Sequence, residues 1–294
     1  MTETTAPMHL AFIGFGEAAR AFLSGWADRR PPAVTAYDRK ADSAATAAAM
    51  RAACADHAVT GAATTAEAVA QADTVFCTVT ADQARVAAEE AAPNLAPGTL
   101  WFDCNSCAPG TKAQAAAIIE AAGGRYIDVA VMSPVHPRRH HAPLLVSGPW
   151  AEAGAARLET LDMRPRVTGP EVGQASSIKM LRSVMIKGLE ALTAECFLAA
   201  RRAGVEDQVI ASLEASDPDI DWRARGAYSL ERMLVHGARR AAEMREVALT
   251  VEALGLLPGL SRATAEWQAT LAGLAEAGGD PDLDTLLDRV LARL

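Results

Sequence analysis

The chain has 294 residues, 50% of them hydrophobic, with 28 Lys and Arg against 36 Asp and Glu for a net charge of -8, long enough for two domains and a sizeable core. The acidic balance argues against a nucleic-acid or anionic-membrane partner, and no apolar run reaches membrane-spanning length. The polar opening through Pro7 lacks the apolar stretch of a signal peptide, and five cysteines, an odd number, point to a reducing cytoplasm rather than a disulfide framework.

From Met8 a short apolar run enters Gly14-Phe15-Gly16-Glu17-Ala18-Ala19, and a helical pattern follows to about Ala27. Strand, glycine turn and helix in that order match the G-x-G-x-x-G/A dinucleotide fingerprint. The first glycine permits the turn, the second lets backbone approach a pyrophosphate, and the small Ala19 lets helix meet strand. A second strand, Ala33 to Tyr37, ends at Asp38, where a carboxylate can accept hydrogen bonds from ribose hydroxyls. Arg39 and Lys40 follow and can pair with a 2′-phosphate, so the cofactor reads as NAD or NADP, with NAD favoured by the acid. Gly14, Phe15, Gly16, Glu17, Ala18, Asp38 and Arg39 are the candidate cofactor contacts here. A helix at Asp42–Cys54, a short segment near Val59 and a helix at Thr65–Gln71 lead to an apolar strand, Thr74 to Val79. Helix Asp82–Ala92, strand Thr99–Phe102, helix Pro109–Ala122 and a strand from Arg125 continue the alternation, which predicts a doubly wound parallel Rossmann sheet. Ligands bind beyond the carboxyl ends of such strands, so Thr80, Asn105 and Ser106 are expected beside the nicotinamide. Cys104-x-x-Cys107 admits either a redox pair or small buried thiols.

The strand from Arg125 ends in Met132-Ser133-Pro134, and the basic loop from Val135 to Pro143 holds His136, His140 and His141. With no acidic residue or cysteine close by in sequence to complete a ligand set, a metal is not expected; a solvated loop and a guide for an anionic substrate are the readings kept. Strand Leu144–Val146, helix Trp150–Leu161 and a strand near Arg166 close a first domain, 1–168. The rest, 169–294, reads as an all-α domain beginning with one long helix between Gly169 and Ala203. Its apolar stripe runs through Ile178, Leu181, Met185, Leu189, Leu192, Cys196 and Leu198. Lys179 and Ser183 share a face one turn apart and form either an acid/base pair or a surface lysine beside a hydroxyl. Further helices are expected at Glu206–Ala215, Tyr228–Leu254, Gly259–Ala277 and Pro281–Leu294. Arg239, Arg240 and Glu243 share a face, as a surface ion pair or as cleft residues. The apolar area of this domain suggests a homodimer.

The order G-x-G-x-x-A, then D-x-x-V-x-S-P-V at 128–135, then G-x-x-x-G-x-A-x-x-x-K at 169–179 resembles the β-hydroxyacid dehydrogenase family, which includes 3-hydroxyisobutyrate and 6-phosphogluconate dehydrogenases. The resemblance spans nearly the whole chain. It implies that Lys179 is the catalytic lysine and that Met132, Ser133 and Pro134 lie in the substrate loop; Ser183 is expected to act with Lys179 in catalysis, hydrogen-bonding the lysine or the substrate, and Arg240 and Glu243 are expected to bind substrate. It further implies that the long helix joins the domains and that a partner subunit helps close the site. Ser183 stands where the family has Asn, Ser133-Pro134 replaces a double glycine, and Ala242-Glu243 replaces Lys-Asp, a pattern similar to a 6-phosphogluconate-dehydrogenase-like subgroup. Imine reductases resemble the family but commonly lack the lysine, so imine reduction and cofactor binding without turnover stand as alternatives.

Overall fold

The computed structural model describes residues 8–279 and 282–294; the opening segment through Pro7 and the expected helix start at Pro281 lie outside them. Two compact units divide the chain, Met1–Lys179 and Met180–Leu294. In the first, strands and helices alternate as β1 His9–Ile13, α1 Glu17–Gly25, β2 Ala33–Tyr37, α2 Ala47–Asp56, β3 Thr60–Gly61, α3 Thr65–Val69 and β4 Thr74–Cys77. They continue as α4 Ala84–Ala91, β5 Leu100–Asp103, α5 Pro109–Ala121, β6 Arg125–Val131, β7 Pro143–Ser147, α6 Ala151–Thr160 and β8 Arg164–Gly169, followed by the start of α7 Gln174–Ala203.

The eight strands form one sheet in the order β3-β2-β1-β4-β5-β6-β7-β8. Its first six strands have the parallel Rossmann order. The last two depart from the expected all-parallel sheet: β7 runs antiparallel to β6, and β8 parallel to β7. The cause is local. A parallel crossover needs a dozen or more residues, usually a helix, and between β6 and β7 there is only a loop with one 3-10 turn, Arg139–His141. Aromatic and aliphatic side chains fill one face of the sheet, where Phe12, Phe76 and Phe102 of the strands cluster with Phe22 of α1, Trp26 just after it and Leu158 of α6. The other face packs Val75, Trp101, Ile119 and Tyr126 with alanines of α3, α4 and α5.

Register sets the working edge. Tyr37 lies level with Ile13, Ile13 with Cys77, Cys77 with Asp103, and Asp103 with Asp128. The residues that follow each of these therefore emerge along one rim, and this is why distant segments of sequence meet there.

The second unit is the rest of α7 with α8 Glu206–Ser216, α9 Trp222–Ala253, α10 Gly259–Ala272 and α11 Leu283–Leu291. Its core gathers Phe197, Leu198, Leu230, Met233, Leu234, Leu271, Leu286, Leu287 and Val290. Helix α9 begins six residues before the expected Tyr228 because the Asp221 carboxylate caps it, accepting from the Ala224 N–H at 2.8 Å. The apolar stripe on α7 is a misread face. Of its residues only Leu198 is buried, Leu189 and Cys196 are half-buried, and Ile178, Leu181, Met185 and Leu192 are exposed; the buried side carries Ser183, Lys187, Glu190 and Ala194 with Leu198. Among the described residues, no helix is long and apolar enough to cross a membrane.

Candidate functional site

The glycine turn has the shape a dinucleotide needs. Gly14 has φ +87°, and a Cβ there would fall 2.7 Å from the Thr78 carbonyl oxygen, so only glycine fits. Thr78 Oγ in turn donates to the Gly14 carbonyl at 2.7 Å, tying the turn to the end of β4. At Gly16 a Cβ would meet nothing within 4 Å. This residue caps α1 without a side-chain hydrogen bond, which leaves the first N–H groups of a helix facing open space, the usual anion cradle. Phe15 is buried while Glu17 is exposed and Ala18 half-buried on the first turn.

Asp38 sits at the end of β2 as expected, and it also braces the turn. One carboxylate oxygen accepts from the Phe15 N–H and the other from the Lys40 N–H, each at 2.9 Å. Arg39 hydrogen-bonds Gln83 across the rim, just beyond Thr80, which precedes the single turn Ala81–Gln83. Gln83 was not singled out by sequence; its only signal was its place shortly after a strand end.

Further along the rim the structure joins two residues that the sequence placed apart. Lys179 Nζ donates to Ser106 Oγ at 2.8 Å. Lys179 is half-buried, so it is neither a solvated surface lysine nor a sealed one. Asn105, expected beside the nicotinamide, is instead buried. Its amide donates to Asp103 at 2.7 Å and to the Cys77 sulfur at 3.2 Å, and its carbonyl oxygen has no partner among the described residues.

Beneath Ser106 and Lys179 lies a buried ionic network that sequence reading missed. Asp103 and Asp128 are neighbours in register, and Lys112 of α5, fully enclosed, lies 2.9 Å from Asp103 and 3.4 Å from Asp128. Burial alone would lower the pKa of Lys112, but the two carboxylates outweigh it and raise it above the ordinary lysine value. Tyr126 donates to Asp103 at 2.6 Å, and burial first, then that carboxylate, push its phenol well above its usual range. One oxygen of Asp128 accepts from Ser147 Oγ, the Gly173 N–H, the Ser176 N–H and Ser176 Oγ, all at 3.0–3.1 Å. Asp128 therefore pins the entry of the helix that carries Lys179. Lys112 did leave a trace in the sequence, since it is in phase with Ala115, Ala116 and Ile119, the buried face of α5.

The remaining motifs resolve as follows. Burial drives the Cys104 thiol up to about 12, and buried Cys107 donates to the Ala81 carbonyl at 3.3 Å, which supports the reading of C-x-x-C as small buried thiols. In the expected substrate loop, Met132 packs on Ala130, Leu145 and Ala175, Ser133 Oγ donates to the Pro134 carbonyl, and Pro134 is exposed. Of the histidines, His136 is exposed, whereas His140 and His141 turn towards Asp162, a carboxylate absent from their sequence neighbourhood.

In the second unit, Ser183, Arg240 and Glu243 are buried, so the surface-pair reading of Arg240 and Glu243 does not hold. Glu243 accepts from Lys187 at 2.6 Å and pairs with Arg239. Arg240 pairs with Glu190, to which Gln268 also donates. Lys187 lies 3.5 Å from Ser183 Oγ. Burial is the largest influence on Lys187 and lowers its pKa despite Glu243; burial also lowers that of Arg240.

A glycine turn on β1, an acid ending β2 and the strand order together define a Rossmann dinucleotide-binding unit. Comparison with known proteins places it further. A family model described as the NAD binding domain of 6-phosphogluconate dehydrogenase matches residues 9–156, and one described as a domain of unknown function matches residues 200–271. The chain belongs to the β-hydroxyacid dehydrogenase family. It is similar to a conserved hypothetical protein from Sinorhizobium meliloti 1021, with 37% identity, 99% of this chain and 98% of that one covered, and a TM-score of 0.75. An uncharacterized 28.5 kDa protein of Methanothermus fervidus is 26% identical over 170 residues, 56% of this chain and 63% of that relative's length. At the level of fold alone, the chain resembles a 3-hydroxyisobutyrate dehydrogenase from Mycobacterium tuberculosis solved with L-serine (20% identity, 96% and 99% covered, TM-score 0.69). It likewise resembles an imine reductase from Myxococcus stipitatus in complex with NADP+ (20% identity, 96% and 99% covered, TM-score 0.54).

Proposed function

We propose that the protein is an oxidoreductase that moves hydride between a nicotinamide dinucleotide and the hydroxyl-bearing carbon of a small hydroxy acid or related polar alcohol, with Lys179 as general acid and base. The observation that carries this reading is the 2.8 Å hydrogen bond from Lys179 Nζ to Ser106 Oγ, at the rim that also holds the Gly14–Gly16 turn. The cradle fits the cofactor, because Gly14 admits no side chain and Gly16 leaves the start of α1 open. Gly14, Gly16 and the first turn of α1 would hold the pyrophosphate, Asp38 the ribose, and Thr80 and Ser106 the nicotinamide side. When bound, the dinucleotide accepts or supplies the hydride.

In oxidation the Lys179 amine removes the substrate hydroxyl proton; in reduction the ammonium returns it to the nascent alkoxide. Ser106 holds the amine in place between turnovers, while Asp128 fixes the helix entry from which Lys179 projects. Proton transfer by a positioned group contributes about 10² to 10⁴-fold in rate. NAD is the favoured cofactor, since the Asp38 carboxylate opposes a 2′-phosphate. The proton-transferring amine is what separates this reading from imine reduction and from binding without turnover.

The test follows absorbance of the reduced nicotinamide with a panel of 3-hydroxy acids and alcohols. Lys179→Ala should lower turnover by ~10² to 10⁴-fold while the cofactor still raises the melting temperature, NAD more than NADP. Turnover that survives this substitution ends the proposal.

A further inference from the structure

The β6–β7 loop holds a cluster for which the hydride chemistry has no use. In the single turn Arg139–His141 the two histidine rings lie tilted at 40° with centroids 3.8 Å apart. Both direct Nε2 at the same oxygen, Asp162 Oδ2, from 3.6 Å for His140 and 3.0 Å for His141. The three ligand atoms lie within 4.8 Å of one another. We propose that His140, His141 and Asp162 form a binding site for a divalent transition ion of the zinc type.

Spacing is the first argument. Ligand atoms placed about 2.0–2.2 Å from a tetrahedral ion are separated by roughly 3.3 Å, and the two observed separations straddle that figure. Ligand chemistry is the second: two imidazole nitrogens and one carboxylate suit zinc, whereas calcium and magnesium take six or more oxygens. The third argument is that each ligand is held in place. His140 slots against Gly25 in the last turn of α1, where a Cβ would come within 2.0 Å of Nδ1, so the glycine is what lets the ring sit there. Asp162 and Arg139 both adopt left-handed backbone, φ 56° and 52°, a conformation non-glycine residues keep only when their surroundings demand it. Arg164 lies 3.6 Å from the other Asp162 oxygen, Oδ1, orienting the carboxylate so that Oδ2 faces the two imidazoles, hydrogen-bonded to His141 where an ion would replace that bond. His141 and Asp162 retain solvent access, which provides an entry path and an open coordination position.

Gly25 is nine residues beyond Gly16 along α1, about 13 Å at 1.5 Å per residue. The ion would therefore act as a clip joining the β6–β7 loop to the turn before β8, outside the chemistry at the glycine turn.

The full chain, stripped with EDTA, is titrated with ZnCl₂ by calorimetry, with MgCl₂ and CaCl₂ as controls. The expected result is one zinc per chain with no magnesium or calcium binding, and zinc should raise the melting temperature. His141→Ala and Asp162→Asn should each weaken zinc by ~10-fold or more, while His136→Ala in the same loop leaves it unchanged. Melting curves of the metal-free variants separate ligand loss from misfolding, and the two substitutions sit on different segments. Absence of saturable zinc binding to the unaltered chain, or equal affinity in the triad variants, overturns the proposal.

Discussion

Lys112 in the first unit and Lys187 in the second are both enclosed by protein, yet their surroundings differ in kind. Around Lys112 the ionic partners reach the backbone: Lys112 donates to the Asp103 carbonyl, and Asp128 receives the Gly173 and Ser176 N–H groups. Around Lys187 the contacts are between side chains, with Glu243, Arg239, Arg240, Glu190 and Gln268 engaging one another. Arg240 Nε and Gln268 Oε1 are left without hydrogen-bond partners among the described residues. A buried charge bonded to N–H groups fixes the path of the chain, whereas one bonded to other side chains fixes only their rotamers. The first network is a device for placing Ser106 and the entry of α7. The second is an ionic patch inside a helical bundle, and such patches are commonly replaceable by apolar residues.

The sharpest way to break that contrast is Asp128→Ala. It removes the acceptor for four donors and leaves Lys112 with a single carboxylate, so about 3–5 kcal/mol of stability should be lost, and turnover should fall with it because the Lys179 helix entry is released. Denaturant unfolding that barely moves would show that the backbone contacts do not matter. A smaller effect is expected from Lys187→Met, about 1–3 kcal/mol, because Glu243 still has Arg239. Adding Glu243→Leu should return stability to within about 1 kcal/mol of the original, as for other buried pairs exchanged for apolar residues. Failure of that rescue would mean that the second patch is as indispensable as the first.

The smallest and most discriminating effect is in alkali. The pKa of Lys187 lies below the ordinary 10.5 in the folded chain. Between the two values the unfolded chain holds the extra proton, so this residue makes stability rise with pH. Lys112 lies above 10.5; its contribution is complete below 10.5 and is lost as pH climbs through the folded value. Each slope is limited to about 1.4 kcal/mol per pH unit. Chemical unfolding from pH 9 to 11 should show a rising component that vanishes in Lys187→Met; a component of opposite sign would refute the assignment.

How far the sequence revealed all this varies by region. The strand Ala33–Tyr37 has the bounds its apolar pattern predicts, and Gly14, Gly16 and Asp38 occupy the places their spacing implies, because that motif is a local device of a few residues. The reversal of β7 and β8 was hidden, since periodicity tells where a strand is and not which way it runs. Lys112 and Lys187 were passed over because a lysine reads as solvated unless its helical phase is checked against its apolar neighbours. Helix α7 misled for the opposite reason: apolar residues occur on several of its sides, and some large ones, such as Met185 and Leu192, are exposed while Met180 and Phe197 are buried. Asp162 was out of reach altogether, as only the tertiary turn ahead of β8 brings it to the histidines.

One detail of the rim bears on how a reactant would be received. The Lys179 amine rests against an alcohol, the side chain of Ser106. Under the proposed chemistry, an incoming hydroxyl need only trade places with a resident one of the same kind. That chemistry would then ask for little rearrangement of the amine when a reactant arrives.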